Sequence, residues 1–194
     1  KIMTDKCVLC GRCLSECPQH TKTVYSQEQV VQDLLASGEK VALSLSPSFI
    51  SYFGCDAAPE VYARARALGF DIVEEMAVSG AEYLAQCRAA LAGGSGRFYI
   101  SSHCPVIINL VEKHFPHLLP HLLPVETPAV IHARSLRARY GENLHVVVAT
   151  ACLSEMELAP ESELSAALSW NQLEGLLKEA DPEKTAAIDA DEPD

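Results

Sequence analysis

The run His145-Val146-Val147-Val148-Ala149, followed at once by Thr150-Ala151-Cys152, is the most strand-like stretch of this 194-residue chain. Its β-branched residues favour extended backbone. Three other short apolar runs predict strands: Val41-Ala42-Leu43-Ser44-Leu45, which ends at Pro47, then Phe70 to Met76, then Phe98-Tyr99-Ile100. Between them lie helical patterns at Ser26–Leu35, Ala58–Leu68, Ala81–Leu91, Pro105–Phe115 and Ala129–Tyr140. Ser26 is the expected N-cap of the first and Gly38 its stop; Pro59 stands in the first turn of the second and Gly69 just past its end. Strands alternating with helices of this length predict an α/β fold with a mostly parallel sheet flanked by helices.

The bulk composition narrows the classes. The formal net charge is −11 and no Lys/Arg run is present, so the basic footprint of a nucleic-acid binder is absent. No apolar stretch approaches the ~20 residues of a membrane span. The chain opens at Lys1 without an initiator methionine or a secretory signal, so sequence upstream is expected, and the expected compartment is the cytoplasm. The Gly93–Gly96 stretch is expected to be flexible, and the polar residues from Asp181 to Asp194 to form an acidic linker or tail.

Eight cysteines are distributed unevenly: Cys7, Cys10, Cys13 and Cys17 crowd the first 17 residues, while Cys55, Cys87, Cys104 and Cys152 are scattered. The crowded set reads Cys7-Val8-Leu9-Cys10-Gly11-Arg12-Cys13-Leu14-Ser15-Glu16-Cys17-Pro18, the bacterial C-x2-C-x2-C-x3-C-P arrangement for a [4Fe–4S] cluster. Short spacing lets successive thiolates wrap one cubane, Gly11 fits a close backbone approach, and Pro18 turns the chain away. Zinc sites instead favour two separated pairs. In two-cluster ferredoxins the fourth cysteine of such a run serves the other cluster, so Cys17 and the first three need not share one cubane. Either a second run lies upstream or on a partner, or a remote cysteine such as Cys55 completes the site. The segment 1–24 is therefore expected to be ferredoxin-like, ahead of an α/β domain over 25–180.

Four stretches past that run make the chain resemble the catalytic domain of [FeFe]-hydrogenases. Leu45-Ser46-Pro47-Ser48-Phe49 is similar to the family's strand ending in A-P-[AS]. Ala67-Leu68-Gly69-Phe70-Asp71, leading to Ser79-Gly80-Ala81-Glu82, is similar to its L-G-F-D and G-A-D segments. Ser101-Ser102-His103-Cys104-Pro105 resembles its T-S-C-C-P motif, followed by Glu112-Lys113, Leu118-Leu119-Pro120 and Val125-Glu126-Thr127-Pro128. Val148 to Cys152 falls at the place of its M-P-C-x-x-K. The resemblance covers roughly residues 1–180 and implies that Cys104 and Cys152 face one [4Fe–4S] cluster from strand ends. The residues agree with this independently, since each cysteine closes an apolar run and the C-terminal ends of parallel strands carry the sites of α/β folds.

The sequence departs from the family where the family's chemistry lies. Family members hold their active cubane with two further cysteines in a C-x-x-x-C motif, and none follows here before Asp194. The family's proton-relaying cysteine is replaced by His103, and the lysine beside the di-iron cyanide by Glu155, which reverses the sign of that interaction. Cys87, Arg88 and Leu91 stand where the family has glutamates. Cys55 or Cys87 is a candidate replacement ligand, and the histidines at 114, 117, 121 and 132 fit solvated or core-capping roles. The expected function is an iron–sulfur electron-transfer module without the di-iron centre and without catalytic residues. It would be a subunit or domain of a larger anaerobic redox complex, with a ferredoxin, a flavoprotein or a hydrogenase-type partner. The alternatives are part of a true [FeFe]-hydrogenase whose remaining ligands lie outside this chain, or a cluster-bearing redox sensor.

Overall fold

The computed structural model describes residues 2–19, 21–93, 98–159 and 163–191. Four strands build the centre: β1 (Val41–Leu45), β2 (Ile72–Glu75), β3 (His145–Ala149) and β4 (Ala166–Leu168). They are all parallel in the order β2-β1-β3-β4, with Leu45 opposite Glu75 on one side and Ala149 on the other, and Ala149 opposite Leu168. The chain thus leaves β1 toward one edge and returns to the other side, which makes the β1/β3 boundary the switch point of the sheet.

Every residue of β1 and β4 is buried, as expected of a parallel sheet covered on both faces. One face packs Leu43, Leu45, Val147 and Leu168 against α2 (numbered in chain order after the short α1, Arg12–Ser15; α2 is Glu28–Ala36), α4 (Ala58–Leu68) and α9 (Trp170–Lys178). Between β1 and α4 lies the short α3 (Phe49–Phe53). The opposite face packs Ala42, Val146, Val148 and Ala167 against α7 (Pro128–Tyr140) and α8 (Leu153–Leu158). Beyond α7 a smaller apolar group of Leu123, Val125 and Ile131 receives Tyr83 and Cys87 from α5 (Gly80–Gly93). The remaining long helix on this side is α6 (Pro105–His114).

Three local expectations are corrected. Phe98-Tyr99-Ile100 adds no strand: Ile100 makes a single parallel bridge to Leu122, because its neighbouring strand is lacking and Phe98 is half exposed. The first helix is capped at Gln27 rather than Ser26, since the Gln27 side chain turns inward, donating to Met156 O at 2.9 Å and accepting from Ala167 N at 3.0 Å. The segment after Asp181 forms a helix, α10 (Pro182–Asp191), lying against α4. Asp181 starts it by accepting the Glu183 amide at 2.9 Å, with Pro182 in the first turn and alanines following. The Gly93–Gly96 stretch lies outside the described residues from its second glycine on. Among the described residues no helix is long and apolar enough to cross a membrane.

Candidate iron–sulfur centre

At the C-terminal ends of β1, β2 and β3 the chain encloses a cavity of about 360 Å³. Ser46, Pro47 and Ser48 enter it after β1, Met76 after β2, and Thr150, Ala151 and Cys152 after β3; His103 and Cys104 close it from the start of α6. The loops leave the sheet in register, since Ser46 N donates to Ala149 O at 3.0 Å and Thr150 N to Leu168 O at 2.9 Å. Both cysteines hold extended backbone as the residue before a helix. Pro105 enforces this for Cys104, because the residue before a proline is pushed out of the helical region. The structure therefore brings the two sequence-predicted cysteines to one cavity at the switch point.

A second cavity, about 630 Å³, lies on the other side of Cys152. Cys10, Gly11 and Arg12 of the cysteine run form one wall, and Ala151, Cys152, Leu153 and Ser169 the other. Within the run, Leu9 and Gly11 take left-handed backbone at φ 59° and 77°, and the Leu9 amide donates to Cys7 Sγ at 3.4 Å. An amide donating to a cysteine sulfur suits a thiolate bound to a cluster. The Cys17 thiol is lowered to about 7, first by the hydroxyl of Thr21, then by the backbone of Thr21 and Gln19. Among the described residues no three Cys, His, Asp or Glu side chains close around a point in the manner of single-ion ligands. A cubane spreads its thiolates wider, on the order of 6 Å apart, than the donors of one tetrahedral ion. The donor set is four soft thiols in a loop with two left-handed residues, Leu9 and Gly11, and this chemistry fits a cluster.

Glu155 lines the first cavity as well. Its carboxylate accepts from Thr150 Oγ1 at 2.6 Å, and that hydroxyl accepts the Cys152 amide at 3.0 Å. Burial pushes the Glu155 carboxyl up, opposed by the Thr150 bond and by His103. Burial likewise pushes the Cys152 thiol up, and the charges of Glu155 and Cys104 add to this, while the amides of Glu155 and Ser154 pull it down. The His103 ring stands edge-on to Tyr83 at a centroid distance of 5.3 Å, and burial raises the Tyr83 phenol. Cys87 is half-buried beside Tyr83 in the small apolar group, and Cys55 is exposed on a turn at Cys55–Ala57; neither lines either cavity. The sequence reading assigns no role to Thr150 or Tyr83. The Thr-x-Cys spacing of Thr150 is the pattern of a hydroxyl turn.

A parallel α/β sheet with two cysteines at its switch point and a ferredoxin-type run beside them defines an iron–sulfur module of the hydrogenase kind. The chain belongs to the family described as iron only hydrogenase large subunit, C-terminal domain, which matches residues 39–193. Residues 1–22 match the 4Fe-4S binding domain. Among solved structures, one titled for [FeFe]-hydrogenase oxygen inactivation, initiated by modification and degradation of the H cluster 2Fe subcluster, superposes with a TM-score of 0.61 at 18% identity. The match covers 80% of this chain and 48% of that one, so this chain spans about half the length of that relative. No curated protein matches the chain.

Proposed function

We propose that this chain is an electron-transfer module that carries [4Fe–4S] chemistry and no di-iron centre, working inside a larger redox assembly in the cytoplasm. The observation that carries the proposal is the double position of Cys152, which lines both the cavity shared with Cys104 and the cavity walled by Cys10. Cys7, Cys10, Cys13 and Cys17 would hold the N-terminal cluster, and Cys104 and Cys152 would supply thiolates to a second. Bound cubanes supply one-electron carriers with tunable potentials. The chain's own contribution is to hold the two thiolate groups on either side of one cysteine-bearing loop, with apolar walls that limit water. The cavity has a carboxyl group at Glu155 where a di-iron cyanide would need a cation. A ferredoxin, a flavoprotein or a hydrogenase-type subunit is the expected partner.

The test is anaerobic loading of the chain with iron and sulfide, followed by electron paramagnetic resonance of the reduced protein and infrared spectroscopy after a synthetic di-iron precursor is offered. Cubane signals without CO or cyanide bands support the proposal. Stoichiometric zinc with no iron, or the infrared bands, would overturn it; the bands would favour a hydrogenase whose other ligands lie elsewhere.

A further inference from the structure

The second end of α6 makes contacts that the electron-transfer proposal does not use. Lys113 Nζ donates to the carbonyl of Cys7 at 2.8 Å and to that of Thr4 at 3.1 Å. His114 Nε2 lies 2.8 Å from the carbonyl of Lys6 and, facing an acceptor, must donate to it. These bonds span more than 100 residues of sequence and clamp the start of the cysteine run to the last turn of the helix. The first turn of the same helix begins after Cys104, in the other site. Ten helical residues make a rod of about 15 Å between the two.

The charges on this rod are not arbitrary. The C-terminal end of a helix carries partial negative charge, which lowers the potential of a cluster placed beside it and disfavours its reduction. A lysine ammonium held on the Cys7 carbonyl offsets that end. Lys113, His114, Thr4 and Lys6 are all exposed, so salt screens the effect and its size is modest.

We infer that Lys113 and His114 are positioning residues for the N-terminal cluster: the pair seats the cysteine run against the α/β domain, and the Lys113 charge raises the potential of the cluster the run holds. The seating stands on the hydrogen bonds alone, while the effect on potential rests on the electron-transfer proposal. In a surface position neither substitution threatens the core, so variants of the full chain are informative.

In the cluster-free chain, hydrogen exchange at the Lys6 and Cys7 amides, both bonded to Met3 O, should speed up at least tenfold in the double variant Lys113→Met, His114→Ala. Unchanged exchange there overturns the seating. In the iron-loaded chain, potentiometric titration of the N-terminal signal in Lys113→Met should show the reduction equilibrium shifted at least threefold toward the oxidised form. That is about 28 mV downward at 59 mV per tenfold for one electron. Lys113→Arg, which keeps charge and donors, should restore the wild-type potential, and high salt should shrink the difference. Wild-type potential in Lys113→Met overturns the electrostatic role. No cubane signal in the wild type overturns that role together with the electron-transfer proposal, and the exchange result stands separately.

Discussion

The hydroxyl of Ser44 lies 2.7 Å from Nδ1 of His132 in the centre of the core, and the ring's other neighbour decides which nitrogen carries the proton. Nε2 stands 2.9 Å from the Glu74 carboxylate, which Arg139 also grips at 2.8 Å. A carboxylate only accepts, so Nε2 donates and Nδ1 accepts from Ser44. A neutral ring therefore satisfies both neighbours and ties β1, β2 and α7 together.

Stability should consequently depend on pH. Burial holds His132 below the ordinary histidine value, and the Arg139 guanidinium, then His132, holds Glu74 below the usual carboxylate range. Both groups bind fewer protons when folded than when unfolded. The stability they contribute is full above pH ~6.5, falls as the unfolded histidine protonates below that, and falls further as pH drops through about 4.5. Urea denaturation across this range checks the sign. His132→Gln should flatten the upper part of the slope and cost about 2–4 kcal/mol at pH 7, since it leaves Glu74 and Ser44 with a poorer partner. An unchanged slope would refute the neutral-ring assignment.

Gln27 makes the next prediction. Its buried amide satisfies a carbonyl of α8 and an amide of the edge strand β4, so Gln27→Ala strands two backbone groups from different elements. A loss of about 2–3 kcal/mol is expected, read as a lower urea midpoint with unchanged slope. A loss below about 0.5 kcal/mol would mean that water replaces the side chain.

The sheet was legible because parallel strands buried on both faces read as nearly continuous apolar runs, and β1 and β3 do, broken only by Ser44 and led by His145. Cys104 and Cys152 were legible because each closes such a run or precedes a proline-started helix. Phe98–Ile100 has the same composition, yet composition does not encode whether a neighbouring strand exists to pair with. The tail failed for the opposite reason: its polar residues bury little, but the Asp181 cap and the alanines favour a helix locally. Gln27, Thr150 and Lys113 act through partners far along the chain or through backbone groups, and polar residues of that kind carry no periodicity. β4 is only three residues long and fell below any strand pattern.

The cysteine run makes a prediction without any partner. In the cluster-free chain Cys17 should be alkylated by iodoacetamide with a rate midpoint at about pH 7, and Thr21→Val should raise that midpoint, because the Thr21 hydroxyl is the first cause of the lowered value. Loading with iron and sulfide should protect Cys17. Cys10→Ser should remove most of the N-terminal cluster signal. A midpoint near the ordinary thiol value, or alkylation unaffected by iron, would count against the run as a thiolate site.

The last prediction is that the chain alone neither evolves nor oxidises hydrogen, even when given a synthetic di-iron precursor. Where the family resemblance calls for a lysine, Glu155 lines the cavity with its carboxylate bonded to Thr150. Two opposite charges 4 Å apart at an effective dielectric of about 20 attract by about 4 kcal/mol, and an anion there turns that attraction into repulsion. Were the carboxyl protonated by its burial, the repulsion would vanish but no cation would take its place. Proton supply is impaired as well: Leu91 carries no titratable group, Arg88 offers a guanidinium where the family resemblance calls for a carboxylate, and both face solvent. His103, Tyr83 and Glu155 stand at the cavity wall, but positions 88 and 91 carry no carboxylate that would continue a path to the surface. The lesions are independent, so Glu155→Lys by itself should not create turnover. Hydrogen evolution from reduced viologen, with infrared bands for CO and cyanide followed in parallel, decides the matter. Activity in the wild type, or in Glu155→Lys alone, would place this chain among the working hydrogenases.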